Sequence, residues 1–158
     1  MKYVIYKLAE LMNLGAALCV LAMMLLTAAD VVLRLFRHPI LGAYEMVGLL
    51  GALTIALAMP ATTRYQGHVA VEFIMEKLPP ALQKLGAAGA ASLSLLLFLL
   101  IAWQSFVYAG ILRRTGEVTL SLQLPFFPVV YAIAAASLLV ALVILLELLP
   151  AATQDNPA

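Results

Sequence analysis

The chain has 158 residues, of which 65% are hydrophobic and 11% charged, with a net charge of +1 at pH 7. Soluble proteins carry about 25% charged residues, so an ordinary soluble domain is excluded, as is the clustered basic patch that a nucleic-acid partner needs. The single cysteine, Cys19, excludes an internal disulfide and a cysteine-built metal site.

Four long stretches lack any Asp, Glu, Lys or Arg: Leu11–Ala29, Met46–Thr63, Leu85–Leu112 and Val118–Leu146. A helix needs about 20 apolar residues to cross the hydrocarbon core. The chain therefore reads as one all-α membrane domain. Its spans are predicted at about 11–36, 43–63, 85–112 and 122–148, with an amphipathic interfacial helix at about 69–84.

Residues 1–10 form an amphipathic lead-in, with Tyr3 and Tyr6 suited to the headgroup region and Lys2 and Lys7 able to snorkel. Those lysines ahead of an apolar run ending Thr27-Ala28-Ala29 resemble a signal peptide. The run is too long for a signal core and continues through Val31-Val32-Leu33, so an uncleaved first span is expected. Pro39 and Gly42 break the chain into a short turn before the second span.

The connection Arg64–Lys84 has apolar residues Val71, Ile74, Met75, Leu78, Leu82 and Leu85 at steps of three or four. Glu72, Glu76, Lys77, Gln83 and Lys84 take much of the other side. This is the pattern of a helix lying in the membrane interface, interrupted at Pro79-Pro80. In the third span, Trp103 and Tyr108 suit the far interface. Gly116 marks the next turn, and Pro125 and Pro128 suit the opening turns of the fourth span.

Charges at membrane depth are costly and point to function by default. Asp30 and Arg34, at i and i+4, share a helix face and can pair. Glu45 lies just across the turn at about the depth of Arg34. A cluster of Asp30, Arg34 and Glu45 suits either a proton or ion relay, or a structural clasp for the first hairpin or a contact to a partner subunit. The clasp carries more weight, because no further carboxylate continues a path across the bilayer. His38 and His68 follow successive spans, so they lie at opposite faces, about 30 Å apart, and cannot share a haem. No serine stands in a G-x-S-x-G setting and no phosphate-binding glycine loop is present. No enzyme, cofactor or metal is expected.

Small residues recur every four positions as Gly48, Ala52, Ala56 and as Gly86, Ala90, Ser94. Such stripes let helices approach closely in lipid. They serve internal packing or an external helical partner.

Four spans place both termini on one side. Lys2, Lys7, Arg64, Lys77 and Lys84 fall on that side, against Arg34, Arg37, Arg113 and Arg114 on the other. The balance slightly favours cytoplasmic termini. Arg37, His38, Arg113 and Arg114 then gather on the outer face, where they either anchor in lipid or meet a partner.

The ordered set Asp30-x3-Arg34, Pro39-x2-Gly42-x2-Glu45, Gly67-His68-Val69-x2-Glu72, Leu78-Pro79, Leu124-Pro125 and Tyr131 resembles the small membrane subunit of tripartite ATP-independent periplasmic (TRAP) transporters, the DctQ-like family. The likeness runs along nearly the whole chain. Two departures are mild: Glu72 stands where the family often has Asp, and Phe126-Phe127 where it often has Trp.

The resemblance implies a non-catalytic subunit of the bacterial inner membrane, with cytoplasmic termini. A large membrane subunit would move an organic acid with sodium by an elevator-type motion. A soluble periplasmic protein would capture that solute. The small subunit would stabilise the large one and help dock the binding protein. The alternative is an autonomous proton-coupled transporter acting as a homodimer, with Glu45 or Asp30 as its coupling carboxylate.

Overall fold

The computed structural model describes residues 2–64 and 80–153. These form helices α1 (Lys2–Leu35), α2 (Ala43–Arg64), α3 (Pro80–Thr115) and α4 (Phe127–Thr153). All four are long and apolar enough to cross a membrane. The expected interfacial helix lies outside the described residues as far as residue 79, with His68. From Pro80 onward the chain already belongs to α3.

Two boundaries differ from the sequence expectation. The lead-in is continuous with the first span, so α1 has 34 residues and runs about 51 Å at 1.5 Å per residue. It therefore overruns a hydrocarbon core of about 30 Å. The fourth helix begins at Phe127 rather than near residue 122. Pro125 disfavours helical backbone at Leu124. Residues 117–126 instead fold into a small hairpin, pinned by a bridge between Val118 and Pro125. Pro128 sits in the first turn of α4, where a missing N–H costs least.

The helices pack in the order α1, α2, α4, α3, and α1 also touches α4. The central helix α4 is the most enclosed, with Ala136, Leu139, Val140, Ala141, Val143 and Ile144 all buried. Val140, Ala141 and Ile144 meet Phe98 of α3, and Met59 of α2 closes over them. Lipid tails are as apolar as leucine, so close packing and polar contacts hold such helices together. The small seam residues serve that purpose: Ala102 and Ala109 on α3, and Ala134, Ala136 and Ala141 on α4, are all buried.

On α1 the residues turned inward recur every seven positions. Ala9 and Ala16 are buried, Met23 accepts a weak hydrogen bond from Thr54 Oγ1 of α2 (3.9 Å to the sulfur), and Asp30 is buried. A seven-residue repeat keeps one seam of a helix on its partner. A Cβ at Gly15, beside this seam, would stand 3.5 Å from Leu57 Cδ1 of α2, at ordinary contact distance.

Candidate functional site at the turn end

Polar clasps mark two levels of the bundle. Toward the termini, Arg64 of α2 reaches Glu10 of α1 at 2.5 Å and lies 4.5 Å over the Tyr6 ring. At the opposite level stand Asp30 and Arg34. Glu10 and Asp30 are twenty residues apart, about 30 Å of helix, the thickness of the hydrocarbon core. The sequence reading missed the Glu10–Arg64 pair. Its only local signal was one acidic residue in an otherwise basic and aromatic lead-in.

The turn end is built from backbone upward. α1 stops through two closing bonds, His38 N–H to the Leu33 carbonyl and Arg37 N–H to the Arg34 carbonyl, both 3.0 Å. This closure places the residue after the helix in left-handed backbone, normally a glycine. Here it is Arg37, with φ 60°. α3 stops in the simpler way. Gly116, with φ 67°, donates to the Leu112 carbonyl at 3.0 Å.

Asp30 is 7% exposed and accepts two hydrogen bonds. Arg34 Nε donates to Oδ2 at 2.7 Å, and the Ile40 N–H donates to Oδ1 at 2.9 Å. One carboxylate thus ties the end of α1 to the residue after Pro39. Arg34 also lies 5.5 Å over the Tyr44 ring of α2. Its side chain is 45% exposed and reaches the surface.

The structure does not bring Glu45 into this pair. Its Oε1 accepts the Ser121 N–H at 2.8 Å and its Oε2 the Leu122 N–H at 3.1 Å. The tip of the α3–α4 hairpin therefore presents two backbone donors to one carboxylate, an arrangement suited to an anion. The expected three-member network is two separate clasps. A backbone donor pair offsets the cost of the Glu45 charge as a cation would, so Arg34 is not needed for it.

Leu122 completes the junction by seating on Gly42. A Cβ at Gly42 would lie 2.5 and 2.6 Å from Leu122 Cγ and Cδ1, and Gly42 itself has φ +72°. Within the hairpin, Thr119 donates to the Leu124 carbonyl at 2.9 Å, and its buried hydroxyl oxygen accepts the Leu124 N–H at 3.1 Å. Leu120 at the tip is 98% exposed. The two short connections are thereby joined into one platform, with an apolar residue projecting from it.

The other predicted site residues divide. Arg37, His38, Arg113 and Arg114 are all exposed at this end. They do not gather in one cluster. Arg37 and His38 follow α1 and the two arginines end α3, and these helices flank α2 and α4. Of the small stripes, Ala56 is buried within the chain, whereas Gly48 has open space where a Cβ would point. Gly48 and Ala52 line an open groove of about 490 Å³ between α2 and α4, below the hairpin. Gly86 and Ala90 are exposed and Ser94 is half-buried.

No group of three or more His, Cys, Asp or Glu that could hold a metal ion occurs among the described residues. No curated protein matches the chain significantly. The family model of the DctQ component of tripartite ATP-independent periplasmic transporters matches residues 23–154. That match takes in Asp30, Arg34 and Glu45 of the turn end, the hairpin and all of the last three helices, and the chain belongs to this family of transporter components.

Proposed function

We propose that the chain is the non-catalytic small membrane subunit of a transporter of this family. It stabilises a large permease subunit and helps dock a periplasmic binding protein for sodium-driven uptake of an organic acid. The family match carries the proposal. The charge pattern supports it. Between the Glu10–Arg64 level and the Asp30–Glu45 level, the stretches 11–29, 46–63, 85–112 and 127–146 hold no Asp, Glu, Lys or Arg. Proton relays and substrate pathways are marked by such residues. Both carboxylate oxygens of Asp30 and of Glu45 accept a hydrogen bond, three of these four bonds coming from backbone N–H groups of the connections.

In this reading the protein lies in the bacterial inner membrane with its termini cytoplasmic and its turn end periplasmic. The open groove at Gly48 and Ala52, and the exposed Gly86–Ala90 face, offer close approach to helices of the large subunit. The platform offers the binding protein Arg37, His38, Arg113 and Arg114 on its two flanks, with Leu120 at the hairpin tip. Left-handed backbone costs a non-glycine residue about 1–2 kcal/mol. Arginine at position 37 despite that cost suits a side chain with work at the surface.

Reversing charge on both flanks, with Arg37→Glu and Arg114→Glu together, tests this surface. Such contacts act mainly on encounter rate and salt dependence. Uptake should slow at low binding-protein concentration and recover as that concentration rises. The deficit should shrink in high salt, where the Debye length falls to about 3 Å at 1 M. Assembly with the large subunit should be unchanged. Uptake equal to wild type across the whole titration would remove the docking role and leave these residues as lipid anchors.

A further inference from the structure

A second groove, between α3 and α4, has an amphipathic outline that the transporter reading does not use. Its volume is about 500 Å³. Ala102, Ala134 and Ala135 give it little relief, and Trp103 and Phe106 of α3 are exposed along it. The only side-chain oxygen or nitrogen lining it besides the Trp103 indole is the Tyr131 hydroxyl.

Tyr131 is held by edge-on contacts with Phe106 and Phe127, at ring-centroid distances of 5.5 and 6.4 Å. Its phenol reaches from α4 across to Gly110 of α3, with the oxygen 4.0 Å from where a Cβ would stand. A larger residue at 110 would crowd that approach. Among the described residues the hydroxyl has no hydrogen-bond partner, yet no buried side-chain polar atom is left unsatisfied. The oxygen is therefore accessible, and Tyr131 lines the groove.

Arg113 completes the outline. Phe106, Gly110 and Arg113 are spaced i, i+4, i+7 and share one side of α3. Arg113 is exposed, about 5 Å of helix beyond Gly110 toward the turn end. The groove thus has apolar walls running into the membrane, a free hydroxyl at its upper end and a cation just above.

We propose that this groove binds one anionic phospholipid from the leaflet at the turn end. An acyl chain would lie along the Trp103–Phe106 wall. The Tyr131 hydroxyl would donate to an ester or phosphate oxygen, and Arg113 would pair with the phosphate. Arginine suits that last role because its planar donors match phosphate geometry. Charge complementarity selects a lipid headgroup over an apolar partner helix, which would leave both the hydroxyl and the cation unanswered. The inference rests on the membrane placement of the helices; it turns Arg113 to lipid and leaves docking of a binding protein to Arg37, His38 and Arg114.

Native mass spectrometry of the chain, purified with its large subunit and titrated with phosphatidylglycerol or phosphatidylethanolamine, tests the site. One phosphatidylglycerol should be retained in preference to phosphatidylethanolamine. Arg113→Gln with Tyr131→Phe should weaken retention about tenfold or more, the weight of one charge-assisted hydrogen bond. Ala135→Phe, on the exposed wall of the groove, should abolish it, while Arg37→Gln should leave lipid retention unchanged. A photo-crosslinking residue at position 135 should capture lipid. Equal retention of the two lipids, full retention in Ala135→Phe, or crosslinking of position 135 to the large subunit would each overturn the proposal. None of these readouts involves the binding protein, so the docking proposal stands or falls separately.

Discussion

Replacing Gly42 by valine should destabilise the protein more than any other single change at the turn end. Two costs combine. The backbone at 42 is left-handed, with φ +72°. That region costs an L-residue about 1–2 kcal/mol and is worst for a β-branched one. The new Cβ would also stand 2.5 Å from Leu122 Cγ. Gly42 follows a tight turn tied to Asp30, so the neighbour that must give is Leu122. Moving Leu122 displaces the two N–H groups that hold Glu45.

The gentler Gly42→Ala separates the two costs. Combined with Leu122→Ala it should recover the steric part and keep the backbone part, so the pair should be clearly less than additive. Coupling of residues in contact runs to about 0.5–3 kcal/mol. Thermal unfolding of the detergent-solubilised protein measures all four corners of the cycle. Strict additivity would mean that the two connections are not joined through this contact.

At the first clasp, Asp30→Ala should lower the unfolding midpoint far more than Arg34→Gln, with Asp30→Asn between them. Asp30 answers two donors, and one is the Ile40 backbone N–H, which has no other partner among the described residues. Truncation to alanine orphans that N–H, the costly way to lose a hydrogen bond. Asparagine can still accept from Ile40 through its amide oxygen. Arg34 is half in solvent, and without it Asp30 keeps the Ile40 bond. If Arg34→Gln proved as damaging as Asp30→Ala, the ion pair rather than the turn would be the essential element, and a role in moving charge would return.

The spans were legible because uncharged runs of 18 or more residues have no other stable solvent than lipid. Asp30 with Arg34 was legible because i and i+4 share a helix face. Glu45 was not. Its partners are backbone N–H groups 76 and 77 positions away, and a backbone donor leaves no mark on composition. Arg34, the cation expected at its depth, was the wrong partner for that reason. Glu10 and Arg64 are 54 positions apart and meet only because α1 and α2 run antiparallel at a fixed register.

Gly42 was visible as a breaker, but not as the seat for Leu122. The start of α4 was misplaced because the hairpin is itself apolar: Val118, Leu120, Leu122, Leu124 and Phe126 hide it inside a continuous hydrophobic run. Alternate residues in that stretch are apolar, a period of two rather than 3.6. Together with Leu124-Pro125, that period was the available signal. The seven-residue spacing of Ala9, Ala16, Met23 and Asp30 was likewise readable and marks the seam that α1 turns to α2.

Reconstitution into liposomes tests the central reading most directly. The chain would be inserted alone, with its large membrane subunit, or with that subunit and the binding protein, under an imposed sodium gradient or a proton gradient. Organic-acid uptake should appear only when all three proteins are present, and only with the sodium gradient. Liposomes holding this chain alone should stay silent under either gradient. Proton-driven uptake by the chain alone, abolished by Glu45→Gln or Asp30→Asn, would show that it is itself a transporter and would contradict the account.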